Sequence, residues 1–439
     1  MRPRIALALL ATAGALVAPA GARQAAPPGN PFSGSIVPLA VPAPDVTAQP
    51  NLTVDRRGRV WLSWLESRIE RGPDGQMIGR GQGGHRFQLS SLQGDRWSAP
   101  VTIAEGANFV ANWADFPSVF ATRSGLLAAH WLERNASGGA YAYGVRMNTS
   151  ADDGRTWSTP MTPHRDQSPQ EHGFVSFFEA PGSDLGLVWL DGREMSGGHG
   201  APSGGGGHSP GSMTLRATTV TGGQLGPELL VDSRVCDCCQ TSAARTDTGV
   251  IVAYRDRSDT EIRDISVSRL VNGGWSEPAR VHADNWQINA CPVNGPVIAA
   301  SGRTVAVAWY TMAGGAPQAK VAFSTDGGAS FAAPVVLNQQ PTYGRLSLTM
   351  LAADRVLVSS IERGDSRARL LVRDVRRDGR VGDAVQIADA SSDRSSGFPR
   401  IVVAGGRVVF AWTEVTQASS SPANSRLMTR VRVATARLK

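Results

Sequence analysis

The sequence predicts an all-β propeller of seven blades, each a four-stranded antiparallel sheet. Three observations predict it. A strand–turn–strand pattern that closes on an aromatic, one further residue and usually an acid recurs seven times. A second mark, an aromatic followed two residues later by a residue before proline, falls between copies. Finally, 49 Gly and 27 Pro in 439 residues, with only 6% aromatics, favour many strands and turns over helices.

The seven copies end at Trp64-Leu65-Glu66, Trp131-Leu132-Glu133, Trp189-Leu190-Asp191, Tyr254-Arg255-Asp256, Trp309-Tyr310-Thr311, Ser360-Ile361-Glu362 and Trp412-Thr413-Glu414, spaced 51 to 67 residues apart. A repeat of this length is the mark of a radial array. Alternation such as Val60-Trp61-Leu62-Ser63-Trp64 has the period of a strand. The second mark is Trp97-Ser98-Ala99-Pro100, Trp157-Ser158-Thr159-Pro160, Trp275-Ser276-Glu277-Pro278 and Phe331-Ala332-Ala333-Pro334. Proline is tolerated there because the outermost strand of a blade is an edge. The last repeat, from Arg400, lacks a fourth strand, and the segment from Gly34 to Val41 is the expected donor, closing the ring and removing its edges. Six blades are the alternative if one repeat is half a blade.

The N-terminus sets the expected compartment. Arg2 and Arg4 precede an apolar run from Ile5 to Val17, and Ala20-Gly21-Ala22 offers a small-x-small cleavage pattern. A signal peptide over 1–22, a flexible linker over 23–33 and a single propeller over 34–439 are expected, with the mature chain periplasmic or secreted. The run is too short to span a membrane, and no later segment is long and apolar enough. The net charge of +7 rests on scattered arginines, Lys320 and Lys439 being the only lysines. No dense basic block marks a nucleic-acid partner, and no nucleotide, haem or flavin motif is present, so no such cofactor is expected. The sequence does not address oligomeric state.

Two turns are complete: Ser150-Ala151-Asp152-Asp153-Gly154-Arg155-Thr156-Trp157 and Ser324-Thr325-Asp326-Gly327-Gly328-Ala329-Ser330-Phe331. Asp and Ser can bond the turn's own backbone, and Gly supplies a positive φ. These segments resemble the Asp boxes (BNR repeats) of sialidases and related exported propellers, and the repeat covers nearly the whole mature chain. The motif speaks for fold; chemistry must be argued from the site.

In a propeller, the start of strand one and the end of strand two share a face, and in sialidases that face carries the active site. Here it gathers Glu66, Glu133, Asp191 with Arg193, Arg255, Asp256, Glu362 and Glu414 from strand-two ends. The loops between blades add Trp113, Asp115, His172, Cys236 to Cys239, Cys291, Tyr343, Arg345 and Arg400. The resemblance implies an arginine cluster on a substrate carboxylate, a tyrosine nucleophile activated by a glutamate, and an aspartate acid/base. Carried over, it makes Arg255, Arg345 and Arg400, with His172, the candidate ligand-binding residues. Tyr343, Glu362, Asp256 and Asp115 are the candidate catalytic residues. The family's early Phe/Tyr-Arg-Ile-Pro segment has no counterpart in blade one, which begins Gln49-Pro50-Asn51-Leu52; Gly397-Phe398-Pro399-Arg400-Ile401 echoes it in another blade.

All four cysteines fall in two adjacent loops between blades. An even count in an exported chain leads to two disulfides as the expected use. A Cys238–Cys239 bridge would be strained, so a soft metal, Cu or Zn, at Cys236, Cys238, Cys239 and Cys291 is the alternative. The Gly-rich insertion from Arg193 to Met213 brings Met195, His199, His208 and Met213 beside this rim. Three functions follow: an exo-sialidase-like glycoside hydrolase on an acidic glycan, a non-catalytic propeller binding a glycan or small ligand on the same face, or a thiolate metal site.

Overall fold

The computed structural model describes residues 29–439 except 45, 72–76, 136–138, 140, 196–210 and 418–426. The expected signal peptide, most of the expected linker, and His199 and His208 lie outside the described residues.

Seven antiparallel sheets follow one another around a ring. Their innermost strands are Thr47–Val54, Ser118–Ala121, His172–Phe178, Ser242–Thr246, Val297–Ser301, Thr342–Ala352 and Arg400–Ala404, which begin blades one to seven. Blade two has three strands, Met147 adding a single bridge to Met161 where a fourth would lie. In blade seven, Val37–Leu39 pairs antiparallel with Leu427–Arg437, Val37 opposite Thr435, so the two ends of the described chain share one sheet. Phe32 continues this contact, buried edge-on against Phe410 and bridged to Leu438. Residues 29–33 are therefore part of the propeller and not of a linker: an aromatic in the segment Asn30-Pro31-Phe32 supplies enough apolar surface to hold it down.

Every sheet is buried on both faces, which explains the near-continuous apolar second strands. Alternate side chains enter different interfaces. Leu62 and Trp64 pack with Val409 and Ala411 of blade seven, while Trp61 and Leu65 pack with Val119 and Ala129 of blade two. The remaining five interfaces repeat this arrangement.

The recurrent sequence marks are hydrogen-bonding devices. In the two complete turns, Asp152 and Asp326 each accept a backbone N–H and the hydroxyl of the residue four positions on, and the preceding Ser oxygen accepts the N–H of Gly154 or Gly328. In the Trp-Ser-x-Pro marks, Ser98, Ser158 and Ser276 grip the third strand twice, donating N–H to a carbonyl and accepting the N–H of the same residue on Oγ.

Candidate functional site

The innermost strands line a central cavity of about 260 Å³, to which all seven blades contribute. Equivalent positions on these strands carry Asn51, Ser118, Ser176, Ser242, Val297, Ser347 and Arg400. Three of the small polar side chains stitch neighbouring blades: Asn51, Ser242 and Ser347 accept the N–H of Val119, Ile298 and Ile401. Arg400 alone places a cation in this ring.

Just before this ring, the chain bulges in blades one, three and six. Gln49, Phe174 and Arg345 take positive φ of 58°, 53° and 54°. Each freed N–H is caught by a side chain from another blade or its leading loop: Thr413, Asp115 at 2.7 Å and Asn294 at 2.8 Å. The bulges re-aim the strands at the channel mouth.

The expected acids serve mainly the scaffold. A residue two positions after a tryptophan lies on the same face of the strand, so Glu133 and Asp191 accept the indole N–H of Trp131 and Trp189. Glu362 is buried, bound by both terminal nitrogens of Arg373 and by Ser360. Tyr343 packs instead against Ile361 and Leu370, on the other face of the same sheet. The expected Tyr343–Glu362 couple is therefore not assembled: alternation of side chains across the strand separates them. Asp256 accepts Ser266 Oγ and the Arg257 N–H, and burial raises its pKa. Arg255 is buried and donates only to main-chain carbonyls, of Asn294, Arg263 and Tyr310. It clamps blade four to blade five and has no fork free for a ligand.

Arg345 and Arg400 stand differently. They gather with Arg394 around three aromatic rings. Trp113 stacks on Phe398 at 5.9 Å, and Phe116 tilts against Phe398 at 5.7 Å. Arg345 and Arg394 lie 5.4 and 5.9 Å over Trp113, and Arg400 lies 4.2 Å over Phe116. Arg345 donates to Ser396 and to the carbonyls of Ser392 and Asp393. No carboxylate comes within ion-pair distance of any of the three among the described residues. Burial lowers Arg345 and Arg400 to about 10, still charged at neutral pH. The Arg400 Nε is buried without a hydrogen-bond partner. The sequence pointed to Arg345 and Arg400 but not to Phe116 or Arg394; an aromatic before proline, in Phe116-Pro117 and Phe398-Pro399, is the signal that finds the platform.

Asp115 lines the same cavity from below. Its carboxyl is wholly buried, bound by Phe174 N–H and, at 3.4 Å, by the Tyr143 hydroxyl, which also donates to Glu171. Burial raises Asp115 to about 7 and Glu171 well above its ordinary range, the latter reinforced by the charge of Asp115. Tyr143 and Glu171 come from blade two and the loop into blade three, and no sequence pattern joined them. His172 is buried, stacked on His164 at 3.9 Å, with Nε2 3.0 Å from Asp166 and 3.6 Å from Asp191. Asp191 already accepts Trp189 and a two-point grip from Arg193, so this group is an ion-pair lattice, not an open cation site. Nor does His172 line the central cavity.

The cysteines meet on the same rim. Cys236 Sγ lies 3.9 Å from Cys238 Sγ and 3.5 Å from Cys239 Sγ. These separations exceed a disulfide bond, and all four cysteines are free. The expected pair of disulfides is therefore not formed; the turn Cys236-Asp237-Cys238-Cys239 folds three thiols inward as a cluster. The wholly buried Arg263 donates to Cys236 at 3.2 Å and to Asp237. Burial opposes ionisation of Cys236, but its hydrogen bonds with Cys238 and Cys239 and the charges of Arg263 and Arg255 bring its thiol well below the usual range. The bond to Cys236 keeps Cys238 high, and burial does the same for Cys239.

Seven radial sheets around a channel with a cationic, aromatic mouth make this a seven-bladed β-propeller. No family model and no curated protein matches the chain. Among solved structures it is similar to a protein of unknown function from Dyadobacter fermentans, with a TM-score of 0.51 and 14% identity over 92% of this chain and 98% of that chain. It is also similar to the endosialidase of phage phi92, with a TM-score of 0.49 and 10% identity over 93% of this chain and 70% of that one. An ulvan lyase gives a TM-score of 0.48 and 11% identity over 91% and 94%. At such identities the likeness is one of fold.

Proposed function

We propose that the channel mouth binds an acidic glycan or a similar small ligand carrying a carboxylate or sulfate. The observation that carries this reading is Arg400, a guanidinium in the cavity with no ion-pair partner among the described residues. A half-buried cation whose Nε is left without an acceptor is costly, and a guanidinium fork matches a carboxylate or sulfate bidentately. Trp113, Phe116 and Phe398 supply the apolar face that a sugar ring can cover, as expected of a site with few polar groups on an apolar lining. Because Tyr343 and Glu362 are not coupled, the reading is of a binding site. Any turnover would fall to Asp115, the titratable acid that lines the cavity. The test is an array of uronate-, sialic-acid- and sulfate-bearing oligosaccharides beside neutral ones, followed by a turnover assay on the ligands retained. Retention of acidic members supports the reading, and indifference to charge ends it. The expected signal peptide would carry this activity to the periplasm or medium; N-terminal sequencing of the exported chain tests it, and an uncleaved N-terminus would count against export.

The cysteine rim favours a second reading, a soft metal ion. A tetrahedral ion with bonds to sulfur of about 2.3 Å spaces its sulfurs about 3.8 Å apart. The separations of 3.5 and 3.9 Å bracket that value. Cys236, Cys238 and Cys239 would hold Zn(II) or Cu(I) as thiolates. Metal analysis of protein purified under reducing, anaerobic conditions tests it; a metal-free chain with two disulfides would end it.

A further inference from the structure

The two cysteine loops also build the throat of the channel. Gln240, directly after Cys239, donates to Ala114 O at 2.6 Å beside Trp113, and its Oε1 accepts Gly295 N–H at 2.9 Å. Three residues beyond Cys291, Asn294 accepts two bonds from Arg255 on its carbonyl and the Arg345 N–H on its side chain. The loops touch so closely that a Cβ on Gly295 would stand 2.0 Å from Gln240 O. Val293 and Arg345 hold φ of 48° and 54°, a conformation that costs energy and persists only where the surroundings enforce it.

Resting on the reading of the rim as a soft-metal site, we propose that Cys291 supplies a fourth sulfur, so that metal binding ties these loops together and sets Arg345 in place for the anion. Cys291 is exposed at the rim, outside the close grouping of the other three sulfurs, and the contact of Gly295 with Gln240 holds its loop against theirs. Four sulfurs complete a closed tetrahedral site of the structural zinc type. On loading, the thiol protons leave to solvent and no electron moves. The loop after Cys291, held by its hydrogen bonds and by the packing of Val293 on the core, gains a bond that fixes Asn294 and through it the Arg345 amide.

The experiment uses the mature chain, reduced and chelated, then loaded with Zn(II) or, in a separate arm, Cu(I). Metal affinity is measured by competition with a chromophoric chelator, and amide exchange by mass spectrometry over peptides covering 289–297 and 342–348. One metal per chain and slowed exchange in both peptides are expected. Cys291→Ser, at an exposed position that leaves the other three cysteines intact, should weaken binding by more than roughly 100-fold, beyond what loss of an outer-shell partner costs. It should also abolish the protection. If the wild-type chain takes up no stoichiometric metal, the soft-metal reading itself fails. If it binds metal and Cys291→Ser binds equally well, or if loading leaves both peptides unprotected, that reading stands and the present inference is overturned.

Discussion

Asp115 makes the stability of this propeller pH-dependent in a direction opposite to that of an ion-paired carboxylate. The residue is 1% exposed, and among the described residues its carboxyl has no cationic partner, only the Phe174 N–H at 2.7 Å and the Tyr143 hydroxyl at 3.4 Å. Burial therefore dominates and raises it to about 7. Unfolded, the same group ionises near pH 3.9. Below about pH 4 it is protonated in both states and costs nothing. As pH rises toward 7 the unfolded chain gives up the proton and the folded one resists, so stability falls at about 1.4 kcal/mol per pH unit, on the order of 4 kcal/mol in all. Above pH 7 the term is constant. Asp115→Asn keeps an oxygen for Phe174 and removes the charge. Urea unfolding from pH 4 to 8 at fixed ionic strength should give wild-type and variant curves that diverge as pH rises, with the variant the more stable at pH 8. Glu171, also raised, adds a slope of the same sign to both proteins, smaller in the variant because the charge of Asp115 no longer reinforces it. Parallel curves, or a variant that gains relative stability on acidification, would refute the assignment.

Glu362→Ala should cost about 3–5 kcal/mol, because it leaves Arg373 buried without its partner; Tyr343→Phe, which removes a hydroxyl with no hydrogen bond among the described residues, should leave the unfolding midpoint nearly unchanged. Comparable losses from the two would contradict the structural role given to Glu362. Asp326→Ala removes one carboxylate that organises the Ser324–Ser330 turn, and about 1–3 kcal/mol of stability should go with it. A variant that melts like the wild type would show the turn to be held by its glycines alone.

The fold was legible because each recurrent mark does the same physical work in several blades. Trp-x-acid places an acceptor under an indole in blades two and three, and Trp-Ser-x-Pro pins the outer edge. The same regularity misled at the site. Acids at the ends of second strands look like a ring of catalytic carboxylates, yet Glu133, Asp191 and Glu362 answer to an indole or to an arginine across the strand. Arg255 was misread because carbonyl acceptors leave no trace in sequence. The Asp115–Tyr143–Glu171 group is assembled across two blades, from positions with no shared spacing. Arg400 was legible for a reason available before any coordinates: it is the one cation at a position that other blades fill with Asn, Ser or Val.

The channel-mouth account is tested most directly by calorimetric titration of the tightest acidic oligosaccharide found on the array into wild type and Arg400→Met. Truncating one side of a desolvated charge pair costs about 2–5 kcal/mol. The account therefore predicts that affinity drops by roughly 30-fold or more in the variant, and that an uncharged analogue of the ligand binds both proteins weakly and alike. Equal affinity of wild type and Arg400→Met for the acidic ligand would contradict it.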